Sequence, residues 1–232
     1  VDPLAHKMPA WSPYSYTFNN PIRFIDPDGR APQTVKPGSA AALRAIKNTL
    51  SSADAAYVKL DANGNINRDI LNLRTMSSSG NFAALQELVN SETTYHINIA
   101  SSYESADVEG AQPLVGDDQN GTKGVTLFPG AENDRSPDND VHVFTSDKLS
   151  PERQAENLSH EAYGHAYFYE LKQQGQDVNP NHQYEATMIE VNPNADNVFD
   201  RYALGRKDVN TPLVNQIKAR EKEAVQNFNN RD

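Results

Sequence analysis

His160, Glu161 and His165 stand close together in the run Leu158-Ser159-His160-Glu161-Ala162-Tyr163-Gly164-His165-Ala166. A neutral imidazole is the commonest metal ligand among side chains, and a carboxylate beside a metal-bound water can take its proton. The chemistry these residue types offer is therefore metal-assisted hydrolysis, with two histidines as ligands and Glu161 as general base. The spacing sets a geometric problem. Residues four apart on a helix are separated by about 40° around its axis, and residues five apart by about 140°. A regular helix would aim His160 and His165 away from each other. A single π-bulge widens one turn and returns i and i+5 to one face, and such bulges often mark functional sites. Gly164, which tolerates unusual backbone, is the place to absorb it. The competing reading is two structural histidines that flank a glutamate by chance. The chain has only six histidines, and two of them fall in this pattern, which favours ligands.

The element that must position these residues is one helix from Ser150 to Gln174. Ser150 is a good N-cap, Pro151 suits the first helical position, and Glu152 meets the positive end of the helix dipole. Gly175 ends the helix. On this helix the pattern H-E-x-x-G-H resembles the zinc-peptidase signature H-E-x-x-H with one residue added between the histidines. The six-residue form is known from the dipeptidyl peptidase III family, where both histidines bind zinc. The resemblance implies Zn²⁺ as cofactor and an α+β, zincin-like metallopeptidase domain, its active-site helix packed on a small, mostly antiparallel sheet. Strand candidates are Thr94–Ala100, Val125–Phe128 and Val141–Thr145, with a long polar surface loop over 101–123. In metallopeptidases a sheet edge beside the active-site helix often binds the substrate as an added strand through main-chain hydrogen bonds. Val125–Phe128 is the candidate edge.

Catalytic zinc normally takes three protein ligands and keeps one position open. After Gly175 and a turn-rich loop, a second helix is expected from about His182, broken by Pro193 and resuming over 197–204. It carries Glu185 and Glu190. In many zinc peptidases the third ligand is a glutamate on the helix after the signature, with a further acid orienting a histidine. On a regular helix Glu185 shares a face with Met188 and Ile189, so it is the acid carried toward the core and the preferred third ligand. Glu190, about 140° away, suits an outer position. The reverse order and His182 as ligand are the alternatives. The stretch from Glu185 through Asn197, Arg201 and Gly205 is also similar to the ending of polymorphic-toxin metallopeptidases. An oxyanion stabiliser is needed as well, and Tyr184, Tyr167 and His142 are the candidates.

Composition narrows the field. The chain has 232 residues, a hydrophobic fraction of 37% and a formal charge of −10. That length suffices for one domain and an appendage. An acidic chain repels phosphate backbones, so nucleic acid is excluded as substrate or partner. With no cysteine, disulfides, thiolate metal sites and a cysteine nucleophile are excluded together. No run approaches the apolar length of a membrane span. The oxygen-rich turn Asp61-Ala62-Asn63-Gly64 lacks the glycine and acid positions of a calcium loop and reads as an ordinary turn. The last helix, expected from Thr211, has an apolar side and a charged face assigned to solvent.

Residues 1–30 differ from the rest of the chain, with prolines at 3, 9, 13, 21 and 27 and several aromatics. Val1-Asp2-Pro3-Leu4-Ala5, Trp11-Ser12-Pro13-Tyr14-Ser15-Tyr16, Asn19-Asn20-Pro21-Ile22 and Asp26-Pro27-Asp28-Gly29 resemble, in order and spacing, the end of the Rhs repeat-associated core. In that family the core closes a large β-shell, and a variable C-terminal cargo, commonly a toxin, comes after it. Many members are cut just after this D-P-x-G motif, which usually continues with leucine; here Arg30 is next. The abrupt start at Val1 accordingly reads as a fragment of a longer polypeptide. The expected organisation is a core remnant over 1–30, a linker over 31–39 and a metallopeptidase-like domain over 40–232. The resemblance implies a secreted or cell-surface bacterial effector, delivered into a target cell, with a protein or peptide substrate, a cognate immunity protein and the parent Rhs shell as partners. Two other classes remain open: a zinc amidase acting on cell-wall peptides, and a non-catalytic binding module with a degenerate site.

Overall fold

The structure, a computed structural model, describes residues 35–190, 192–194 and 201–231. The stretch read as the end of an Rhs core, the first linker residues and the positions 197–200 lie outside the described residues. The chain divides into two compact units, Val1–Gln33 and Thr34–Asp232. The second is a mixed α+β unit.

Among the described residues its main sheet has four strands in the order β1-β2-β6-β5, where β1 is Val35–Pro37, β2 Tyr95–Ala100, β5 Gly124–Leu127 and β6 Val141–Ser146. The three strand candidates are all present. The expected mostly antiparallel arrangement is not: β1, β2 and β6 run parallel, and β5 alone is antiparallel. A parallel pair needs a long crossover. The crossover between β1 and β2 carries four helices: α1 (Ala40–Asn48), α2 (Ser52–Ala55), α3 (Arg68–Asn72) and α4 (Gly80–Asn90). Ser39 caps α1, its hydroxyl accepting from the Ala42 amide. The turn at Asp61 closes on that residue's own carboxylate, which accepts the Asn63 and Asn65 amides. The polar stretch expected as loop contains a small antiparallel hairpin of β3 (Ser102–Ser105) and β4 (Val108–Pro113).

The predicted signature helix is continuous but not uniform. It comprises α5 (Pro151–His160), a π-helical turn over Glu161–Ala166, and α6 (Tyr167–Gln173). Ser150 precedes it without a side-chain capping bond. Leu158, Ala162, Tyr163 and Ala166 are buried in one apolar cluster with Ile46, Phe82, Leu88 and the inward residues of β2 and β6. Burial of the large apolar side chains among them, each worth roughly 1.5–3 kcal/mol, fixes the helix on the sheet.

The second helix expected from His182 is instead an antiparallel hairpin of β7 (Tyr184–Glu190) and β8 (Tyr202–Asp208). Tyr184, Thr187 and Ile189 favour strand, and a short apolar run does not by itself separate the two periods. Met188, assigned to the core by the helical reading, is 57% exposed. The chain then forms α7 (Thr211–Asn229), capped by Asn210 rather than Thr211. Leu213 and Ile217 of α7 are buried. Among the described residues no helix is long and apolar enough to cross a membrane.

Candidate metal centre

The π-helical turn does what the spacing of the two histidines requires. It brings the His160 and His165 rings to 5.1 Å between centroids. Two close approaches accommodate it. An added Cβ at Gly164 would lie 2.5 Å from Ile217 Cγ1 on α7. An added Cβ at Gly124 would lie 2.9 Å from both Glu161 Cγ and the Phe144 carbonyl oxygen. Both positions are tighter than any side chain allows, so glycine lets α7 seat against the wide turn and the edge strand β5 seat against Glu161.

The third member of the cluster is His182, in the loop before β7. Its ring lies 5.6 Å from that of His160 and 4.9 Å from that of His165. One ligand atom from each of the three histidines falls within 4.8 Å of the other two, so the cluster could hold a metal ion. Glu185 is not part of it. In the hairpin register Tyr184 faces Asp208 and Glu185 faces Lys207. Alternate residues of a strand point to opposite faces, so Glu185 projects from the face opposite to Tyr184 and Asp208. It is exposed, as is Glu190 at the end of β7.

Each histidine is oriented from outside. His165 Nδ1 lies 2.5 Å from the Pro180 carbonyl oxygen. His160 Nδ1 lies 2.8 Å from Glu221 Oε1 on α7. His182 Nδ1 bonds the Asp208 carboxylate on β8. With Nδ1–H donating outward in all three rings, Nε2 is the nitrogen left for an ion, and such partners fix ring orientation and raise ligand basicity. Burial pushes the His165 imidazole below its ordinary pKa, only partly offset by Glu161, which favours the neutral, ligating form. Burial also acts on His160, but the Glu221 bond and the charges of Glu161, Glu221 and Glu156 outweigh it and hold that ring above its ordinary value. Asp208 is held below the usual carboxylate range: a burial penalty is overcome by the Asn210 amide, His182 and the Gln183 amide.

Glu161 is 6% exposed. Its Oε2 accepts from the Thr126 hydroxyl at 2.8 Å, and it lines the same cleft as the three histidines, a space of about 910 Å³. Other walls of the cleft come from Gly124, Val125 and Thr126 of β5, the segment 128–134, Tyr169 of α6, and Tyr184 and Arg206 of the hairpin. Among the described residues β5 is an edge strand, the position expected for Val125–Phe128 from the likeness to metallopeptidases. Of the three oxyanion candidates only Tyr184 lines the cleft, with its ring 5.7 Å from that of His182. His142 lies elsewhere, bonded to Asp138 at 2.9 Å and stacked on His96. Tyr167 packs among the apolar clusters.

Sequence reasoning did not single out Thr126, Asp208, Pro180 or Glu221. The only local signals are weak: Asp208 precedes the cap of α7, and Glu221 lies on a charged helix face whose pattern suits solvent. No family model, no curated protein and no solved structure matches the chain.

Proposed function

We propose that this chain is a zinc-dependent metallopeptidase of zincin-like architecture. The observation that carries the reading is the set of three histidines whose Nδ1 atoms are all engaged outward while Glu161, buried beside them, opens on the same cleft. Three imidazole nitrogens suit zinc, and three protein ligands with an open position are the catalytic form of such a site. His160, His165 and His182 would hold the ion. When bound, zinc lowers the pKa of a water to about 7 and polarises a carbonyl.

The chain's own residues supply the remaining steps. The Thr126 hydroxyl fixes one oxygen of Glu161 and leaves the other for the attacking water. Glu161 takes a proton from that water and delivers it to the leaving amide nitrogen. The free edge of β5 offers main-chain groups to an extended peptide, which positions the scissile bond along the cleft. The Tyr184 hydroxyl is the donor for the oxyanion. The Rhs-like segments at the N-terminus support the wider reading of an effector domain carried by a secreted Rhs-type protein, with an immunity protein as its partner in the producing cell.

The test is zinc content and proteolysis measured side by side on the parent protein and His160→Ala. Stoichiometric zinc in the parent, none in the variant, and cleavage of an unfolded protein substrate that chelation abolishes and zinc restores are expected. Carefully purified parent protein that takes up no zinc would overturn the reading.

A further inference from the structure

We infer that Arg206 is a carboxylate-binding subsite of the cleft, so that the centre prefers peptides carrying a carboxylate within about three residues of the bond cut. The inference rests on the peptidase reading and specifies its substrate class.

The hairpin register makes Ala186 the partner of Arg206 and Tyr184 the partner of Asp208. Diagonal neighbours on adjacent strands share a face, so Tyr184, Arg206 and Asp208 all project toward the metal cluster. Asp208 is spent on His182. Arg206 Cζ lies over the Tyr184 ring, 4.3 Å from its centroid, and Tyr184 in turn stacks on His182 with an interplanar angle of 24°. The guanidinium is thus the end of a three-layer stack that begins at a metal ligand.

This arrangement leaves the guanidinium available. Among the described residues no Asp or Glu is within ion-pair distance of Arg206, although the chain carries a formal charge of −10. The cation–π contact with Tyr184 restricts the Arg206 rotamers. Arg206 is exposed and lines the cleft, and the N–H fork of a guanidinium matches a carboxylate bidentately. Arg206 contacts Tyr184, which in turn contacts His182, so its place is with a part of the substrate beyond the reacting carbonyl. An extended peptide advances about 3.3 Å per residue, so a group two or three residues from the scissile bond spans the thickness of the stack. The carboxylate has two sources: the C-terminus of a short substrate, or an Asp or Glu side chain.

The experiment measures equilibrium binding to zinc-loaded Glu161→Gln protein, which needs no turnover. The probes are acetylated pentaalanine with a free C-terminus, the same peptide as its amide, and amides carrying one Glu at each position in turn. At least one carboxylate peptide should bind about tenfold or more tightly than the neutral amide, as expected for a hydrogen-bonded pair with a charged group. Which peptide gains distinguishes the C-terminus from a side chain. Adding Arg206→Gln should remove the gain with zinc content unchanged, and Arg206→Lys should restore it only in part. Equal binding of neutral and charged peptides, or none, overturns the inference. So does a gain that survives in Arg206→Gln, because the carboxylate then sits on the metal. Should Arg206→Gln lose zinc, Arg206→Lys takes its place: a gain as large as with Arg206 then counts against the guanidinium fork. Hydrolysis by the parent is scored separately, so an inactive parent that still discriminates overturns the peptidase reading and leaves Arg206 standing.

Discussion

His165 can carry its proton only on Nδ1, because a carbonyl oxygen such as that of Pro180 accepts and never donates. The same logic at Glu221 and Asp208 turns three separate imidazoles into a set aimed at one point. Glu161 stands apart from that set: its carboxylate is tied to Thr126 and is not among the converging ligand atoms. Glu161→Gln should therefore lower hydrolysis by about 10²- to 10⁴-fold, the range of a general base, with zinc content unchanged. Kinetics and metal analysis on one preparation check this, and loss of zinc would make Glu161 a ligand. His182→Ala should empty the site, whereas Glu185→Ala should leave it filled, because Glu185 projects from the far face of β7. Metal titration of the two variants decides, and zinc lost only from Glu185→Ala would contradict the histidine triad. Asp208→Asn keeps the size of the side chain but weakens its hold on His182, and about 10- to 100-fold lower affinity is expected.

At the scale of elements, the centre depends on three pieces of chain that meet only in the fold. The signature helix supplies two histidines, one just before its widened turn and one within it, the hairpin brings His182 with its own orienting acid, and α7 supplies Glu221. Gly164 is where the first and third meet. Gly164→Ala sets a methyl 2.5 Å from Ile217 Cγ1, and Ile217 is itself buried at 4% exposure, so it has little room to yield. Overpacking of this kind costs about 1–3 kcal/mol. Because Glu221 lies one turn beyond Ile217 on α7, the shift also draws its carboxylate from His160. The variant should show both a lower denaturation midpoint and weaker zinc binding. An unchanged midpoint and an unchanged affinity would mean that α7 does not depend on the close approach at Gly164.

At the scale of the whole molecule, an ion at this site would tie the signature helix to the hairpin directly and to α7 through Glu221. A ligand that binds only the folded state stabilises it, by about 2.7 kcal/mol at a free concentration 100-fold above Kd. For a chain of this size each kcal/mol moves Tm by about 2–4 °C. Thermal unfolding should therefore shift upward by about 5–10 °C on adding zinc at that excess, and the shift should vanish in His160→Ala. An equal shift in His160→Ala would place the stabilising ion elsewhere on this acidic chain.

The histidine pair, the glutamate beside it and the widened turn between them were readable from nine consecutive residues, because a helix converts sequence spacing directly into angle. The place of β5 at the sheet edge followed from the likeness to metallopeptidases, while the strands β2, β5 and β6 were readable because a local apolar pattern marks each. The parallel course of β1, β2 and β6 was not, since strand direction is set by crossovers rather than by the strands themselves. For the third ligand the sequence favours Glu185 over His182, because a helical period fits a segment whose pairing with β8 imposes a period of two. Glu221 lies 61 positions from the histidine it orients and Asp208 lies 26 from its own. No local pattern marks either pairing, because packing of α7 on Gly164 and closure of the hairpin bring them together, and those are contacts that only the tertiary structure makes.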